Sequence, residues 1–223
     1  MIGYIDSVRD TEFKLCTYEK FVELTTSERI ETLIEEYRSG RNPSAKQMLP
    51  AFLFQGFDPN VLLGKKGNRR ANHLVSNGLF MMDFDHVENP VALYEKFLQN
   101  LNTMQITLQD DVALAHITPS GKGLRIVMRL KPNITIETAQ ESVSKAIGVE
   151  ADKVVKDLSR LSFVPCYKDV KFVNKELLFK NEQFNTEVSK PCEEGGTTGE
   201  GESECGTEIP TRSNQPCSDE TQT

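Results

Sequence analysis

A chain of 223 residues with 38% hydrophobic content and a formal net charge of −7 has room for one well-buried domain plus a tail, and would be cramped as two full domains. It carries no apolar run of the roughly 18 residues a membrane span needs, and no basic start followed by an apolar stretch. A cytoplasmic protein with no membrane partner is therefore expected. Five cysteines at positions 16, 166, 192, 205 and 217, an odd number with no C-x-x-C pair, support neither a zinc ribbon nor a disulfide framework.

The acidity is local. Residues 185–223 hold nine acidic and two basic side chains, so the whole excess lies there and residues 1–184 are neutral overall. A neutral globular part can still present clustered Lys and Arg to nucleic acid. The tail, rich in Gly, Ser, Thr and Glu and almost free of large apolar residues, cannot bury enough surface to offset its ordering entropy. The expected organisation is an α+β domain over residues 1–184 and a disordered acidic tail over 185–223.

In chain order, a weakly alternating start suggests a strand over Glu12 to Leu15. Thr25-Thr26-Ser27-Glu28 then caps a helix running to Arg38, with Ile30, Leu33, Ile34 and Tyr37 on one face. Gly40 stops it, Pro43 starts a short helical turn, and Leu49 to Phe54 reads as a strand with its proline at the start. A polar loop with Lys65, Lys66, Arg69, Arg70 and His73 leads into Gly78-Leu79-Phe80-Met81-Met82-Asp83-Phe84-Asp85-His86, a buried strand ending on two aspartates.

Asn89 caps a helix over Val91 to Leu101, with Pro90 at its first position. Val112 to Ile117 and Leu124 to Leu130 form a hairpin around Thr118-Pro119-Ser120-Gly121-Lys122-Gly123. A helix over Thr135 to Ile147, capped by Asn133 or Thr135, a strand over Ser159 to Cys166 and an edge strand over Lys171 to Val173 complete the domain. Strands, hairpins and helices in this order predict an α+β fold, a mixed or antiparallel sheet with flanking helices.

Alternate side chains of a strand share a face, so Asp83 and Asp85 point the same way, roughly 6.5–7 Å apart at Cα. Two carboxylates this close resist ionising together unless a cation, an Arg or Lys, or solvent relieves them. Oxygen ligands at this spacing suit Mg²⁺ or Mn²⁺, and a solvated acidic turn suits them equally. Ser120-Gly121-Lys122-Gly123 offers open backbone N–H groups, a hydroxyl and an ammonium, a composition suited to phosphate oxygens, although a Walker A loop is absent. Asp152 and Asp157 are further oxygen ligands, and Arg160 enters the next strand where it could face a triphosphate; a charged connector is the alternative. Lys65, Lys66, Arg69 and Arg70 suit phosphates of a template strand or form a solvated loop. His116, alternating with Leu114, reads as a core-edge residue.

Together, an acid-x-acid strand end, a Ser-Gly-Lys-Gly hairpin and an Asp followed by Ser-Arg resemble the archaeo-eukaryotic primase superfamily in motif order. Leu49-Pro50-Ala51, Ser76-Asn77-Gly78-Leu79 running into Asp83-Phe84-Asp85-His86, Ser120 to Leu124, and Asp157 to Phe163 resemble the VirE N-terminal domain family. That family is a primase-like domain of Bacteroidetes chromosomes and mobile elements, and the resemblance spans Leu49 to Phe172. It implies a primase-like core, with Asp83 and Asp85 as catalytic, metal-binding acids and Asp152 as the third acid, Asp157 being the alternative ligand. It further implies Ser120, Lys122, Arg125 and Arg160 as nucleotide-binding residues. The implied partners are a nucleoside triphosphate, DNA or RNA, and a separate helicase.

One departure stands out: active primases carry His in the second motif where this chain has Arg125 or its neighbourhood. Arg can hold a phosphate but cannot act as a neutral imidazole. Two readings follow: a primer-synthesising nucleotidyltransferase of a replicating chromosome or mobile element, and a catalytically inactive DNA- or nucleotide-binding module. A haloacid-dehalogenase-type phosphatase also begins on Asp-x-Asp, but His86-Val87 follows here and the Asp110-Asp111 pair falls too early.

Overall fold

The computed structural model describes residues 2–57, 74–152 and 159–179. The chain opens with β1 (Ile2–Ile5), pairs it with β2 (Lys14–Cys16), and continues into α1 (Tyr18–Thr25) and α2 (Glu28–Arg38). Thr17 caps α1 by accepting the Lys20 N–H, and α2 carries Glu28 and Glu31 in its first turn and Arg38 in its last, matching the helix dipole. A 3₁₀ turn at Ala45–Met48 leads into β3 (Ala51–Leu53) and β4 (Gly56–Phe57). The chain resumes at β5 (Leu74–Val75) and β6 (Leu79–Phe84), followed by α3 (Pro90–Gln99) and the short α4 (Leu108–Asp111). The hairpin of β7 (Val112–Ile117) and β8 (Leu124–Arg129) precedes α5 (Ile136–Ile147), β9 (Ser162–Phe163), β10 (Val170–Val173) and α6 (Lys175–Phe179).

Two four-stranded antiparallel sheets result, ordered β2-β1-β3-β9 and β10-β7-β8-β6, beside a β4-β5 ribbon. Where a single mixed or antiparallel sheet is expected from sequence, there are two. The strands missing from that expectation are the two-residue β4 and β5 and, more consequentially, β1, whose four residues are all buried and so lack the alternation that marks a half-exposed strand. α1 is likewise additional, and of Ser159 to Cys166 only Ser162 and Phe163 pair as a strand. The predicted helices correspond to α2, α3 and α5; Thr135, not Asn133, caps α5, and Gly148 ends it at φ +66°.

The β6 side chains divide between two cores with the period of a strand. Leu79 and Met81 join a cluster with Ile2 and Phe52 of the first sheet, Phe54 just after β3, Phe21 of α1 and Ile34 of α2. Phe80, Met82 and Phe84 pack on the other face with Tyr94 and Phe97 of α3 and Val143 and Ile147 of α5. Burial of each such side chain contributes about 1.5–3 kcal/mol, which fixes the β6 register. Asp83 falls on the Met81 face, so the fold that buries β6 also carries a carboxylate inward toward the first sheet.

Candidate functional site

Asp83 is 1% exposed and stands directly across from Arg125 on β8, which is 7% exposed. The next strand places His116 opposite Arg125, so Asp83, Arg125 and His116 form one transverse row. Arg125 Nη2 contacts Asp83 Oδ2. Asp83 Oδ1 and Arg125 Nε, both buried, have no hydrogen-bond partner among the described residues. Burial pushes the Asp83 carboxyl above the usual carboxylate range; the Arg125 charge and hydrogen bond pull it back and the Asp85 charge adds to the rise.

His116 is more than the core-edge residue its alternation suggests, because it ties the two sheets together. Its Nδ1 lies 3.0 Å from the Ile117 carbonyl, which can only accept, so Nδ1 carries the proton. Nε2, 3.2 Å from Ser162 Oγ on β9, then accepts the hydroxyl proton. Complete burial, and secondarily the Arg125 charge, lower the imidazole pKa to about 3. A neutral ring can sit beside a guanidinium where an imidazolium could not.

The row opens into a cleft of about 350 Å³ at the junction of the sheets, lined among others by Lys46, Asp83, Asp85, Ser120, Arg125 and Arg160. Lys46, from the 3₁₀ turn, is a residue the local sequence does not single out. Its ammonium lies 5.2 Å from the Phe163 ring centroid and 5.7 Å from that of Tyr37, a cation–π seat at the cleft wall. The Thr118 and Ser120 hydroxyls, 2.9 Å apart, share a hydrogen bond within the cleft lining. Three cationic side chains and two carboxylates thus line one polar cleft.

The hairpin turn is held from outside. Arg38, ending α2, donates Nε to the Pro119 carbonyl at 3.0 Å and Nη2 to the Thr118 carbonyl at 3.2 Å, and pairs with Asp169 at 2.8 Å. Gly121, at φ +71°, lies against the Arg38 side chain. A Cβ on Gly123 would meet Thr118 Oγ1 at 2.7 Å, the Phe84 carbonyl oxygen at 3.0 Å and Asp85 Oδ1 at 3.1 Å, so only glycine lets the returning strand pass this close to the acidic strand end.

Of the residues selected from sequence, Asp83, Asp85, Ser120, Arg125 and Arg160 line one cleft. Lys122 is exposed outside the lining; its backbone N–H bonds Ser120 Oγ and its carbonyl accepts from Val87 N–H. The Asp152 N–H donates to the Asp83 carbonyl at 2.8 Å, yet the Asp152 carboxylate is not in the lining and lies 3.9 Å from Arg160. Lys65, Lys66, Arg69, Arg70, His73, Asp157 and the 185–223 tail lie outside the described residues.

Among the described residues no three His, Cys, Asp or Glu side chains gather as a group able to hold a metal ion. The donors fit a different arrangement, in which a ligand completes the coordination. Mg²⁺ is commonly held by one or two carboxylates plus substrate phosphates. Asp85, exposed at the cleft, and Asp83, whose buried Oδ1 has no partner among the described residues, are two such carboxylates in a cleft whose cations and hydroxyls suit phosphate.

A family model described as BT4734-like, N-terminal domain, matches residues 44–170, more than half of the chain. The chain belongs to this BT4734-like N-terminal domain family. The match covers nearly the stretch, Leu49 to Phe172, on which the resemblance to the VirE N-terminal domain family rests, and it includes the whole cleft lining. Arg38 and α2 precede it. No curated protein and no solved structure matches the chain. None of the helices among the described residues is long and apolar enough to cross a membrane.

Proposed function

We propose that the chain is a primase-polymerase-like domain that binds nucleotide and nucleic acid, with the cleft gripping the polyphosphate of a nucleoside triphosphate. The observation that carries this reading is the meeting of Lys46, Arg125 and Arg160 with the Thr118 and Ser120 hydroxyls beside Asp83 and Asp85. Cations and hydroxyls in the cleft suit phosphate oxygens, and the carboxylates suit the Mg²⁺ or Mn²⁺ that accompanies them. In this proposal Asp85 and Asp83 hold the cation jointly with the phosphates, and the cation supplies Lewis-acid stabilisation of charge in phosphoryl transfer. Lys65, Lys66, Arg69 and Arg70 serve as backbone contacts to a DNA or RNA template, and a separate helicase acts with the domain in replication of a chromosome or mobile element.

Calorimetry with nucleoside triphosphates in Mg²⁺ tests the cleft. Lys46→Ala and Arg160→Ala should each lose about 1.5–3 kcal/mol, roughly 10- to 150-fold in affinity, as expected for a hydrogen bond to a charged group. Absence of binding by the wild type at millimolar triphosphate would sink the reading. Dinucleotide formation on single-stranded templates, lost in Asp85→Ala, tests catalysis separately.

A second reading, binding without synthesis, is favoured by one observation. The guanidinium at position 125 sits on Asp83, so a cation reaching that carboxylate must share it with Arg125. Nucleotide affinity with no turnover across Mg²⁺, Mn²⁺ and several templates is the outcome expected on this reading.

A further inference from the structure

We propose that the cleft takes up its divalent cation and its polyphosphate cooperatively, each strengthening the binding of the other, because Arg125 is the resting counter-ion of Asp83. The inference deepens the nucleotide-binding reading and rests on it. A guanidinium and a carboxylate in full bidentate register spend two N–H donors on two oxygens. Here the contact is made by one terminal nitrogen to one oxygen, which leaves one acceptor, Asp83 Oδ1, and one donor, Arg125 Nε, buried and unspent. Leaving a buried polar group unpaired is costly, and these two groups need opposite things. Oδ1 needs a cation or donor, whereas Nε needs an anion or acceptor.

Neither ligand alone answers both needs. A divalent cation approaching Oδ1 meets the Arg125 guanidinium on the neighbouring oxygen, with Lys46 and Arg160 lining the same cleft. A polyphosphate approaching Nε meets Asp83 and Asp85. The two together neutralise one another's repulsion: with Arg125 drawn off Asp83, whose Oδ1 is sealed from solvent in the free protein, the cation takes the Asp83 and Asp85 carboxylates and a phosphate oxygen takes the guanidinium. Arg125 thus makes the affinity of each ligand depend on the other, a reciprocal coupling by linkage. No covalent step is involved.

The test uses the full chain and two probes, Mn²⁺ and inorganic tripolyphosphate, with bound and free Mn²⁺ read by electron paramagnetic resonance and protein-free controls for the complex formed in solution. For the wild type, each probe should bind at least about tenfold more tightly when the other is present, within the usual range of coupling between sites. Arg125→Gln should bind Mn²⁺ alone at least about tenfold better than the wild type, lose tripolyphosphate affinity, and show no coupling. If circular dichroism shows Arg125→Gln to be unfolded, Asp85→Asn replaces it. That variant should weaken joint uptake while leaving binding of tripolyphosphate in chelator unchanged or tighter.

Wild-type Mn²⁺ affinity that is the same with and without tripolyphosphate would overturn the coupling. Tripolyphosphate binding in chelator as tight as in Mn²⁺ would overturn it as well, while leaving the phosphate-binding reading intact. No tripolyphosphate binding under any condition would overturn both.

Discussion

His116 offers a quantitative check on the buried row. Its imidazole is enclosed completely and its pKa stands near 3, against about 6.5 in an unfolded chain. The sign follows from linkage: a folded-state pKa that is depressed means the unfolded chain binds more protons between those two values. Stability from this residue is therefore fully present above pH 6.5 and is lost as pH falls toward 3. Two pH units below 6.5 correspond to about 3 kcal/mol, at roughly 1.4 kcal/mol per unit. Urea unfolding at pH 7 and pH 4.5 reads this loss, and His116→Gln isolates it. The variant starts less stable, because the Ser162 tie is weakened, but should lose about 3 kcal/mol less over the same interval. Asp83 works in the opposite direction, since its raised pKa favours the folded state as pH falls, so the difference between wild type and variant is the quantity to use. Nuclear magnetic resonance gives a direct readout: a neutral ring protonated at Nδ1 down to pH 4.5. A ring titrating near 6.5, or an unchanged pH slope in the variant, would refute the buried row.

Gly123→Ala should destabilise the chain by about 1–3 kcal/mol, the usual cost of overpacking, because its Cβ meets a backbone oxygen at 3.0 Å as well as Thr118 Oγ1; thermal melts check this, and a melt within a degree of wild type would contradict it. Arg38→Met strips the Thr118 and Pro119 carbonyls and the buried Asp169 of a cationic donor and should cost about 2–3 kcal/mol. At a temperature where that variant stays folded, triphosphate affinity should also fall several-fold, with partial recovery in Arg38→Lys. In a double-mutant cycle on Asp83 and Arg125, either Asp83→Leu or Arg125→Met alone should cost about 3–5 kcal/mol and the pair together far less, whereas simple additivity would mean the two groups do not interact.

The segments most legible from sequence were those with caps or strong periodicity. Asn89-Pro90 marks the start of α3, where the Asn89 side chain accepts the Ala92 N–H; Ser27-Glu28 marks that of α2 by position and by the acidic first turn, the Ser27 side chain making no cap hydrogen bond. The β7–β8 hairpin follows from two apolar runs around a Gly-rich turn. β1 and the two-sheet arrangement did not show, since a strand buried on both faces carries no alternation and pairing between distant segments leaves no local trace. The same division applies to the cleft. Asp83, Asp85 and Arg160 are conspicuous as charged residues near turns and Ser120 as a hydroxyl in a Gly-rich turn, whereas Arg125 enters only through the family resemblance. Lys46 and Arg38 are not conspicuous, because they reach the site by tertiary packing alone. The Asp83–Arg125 contact was equally invisible. It depends on the β6–β8 register, and shifting that register by one residue would turn Asp83 away from Arg125.

That register raises the question of what the pair does for the fold. A buried carboxylate and guanidinium both lose hydration, and their attraction repays that loss only when the remaining donors and acceptors are also satisfied. Here one of each is left over, so the pair is poorly made as a device for stability. Two apolar side chains in the same row would extend the surrounding cluster of Met81 and Val127 at no such cost. The imperfection acquires a purpose if the unspent oxygen and nitrogen meet a ligand, because the desolvation already borne in the free protein need not be borne again on binding. Arg125 then accounts at once for how Asp83 is tolerated inside the fold and for the coupled uptake proposed for the cleft.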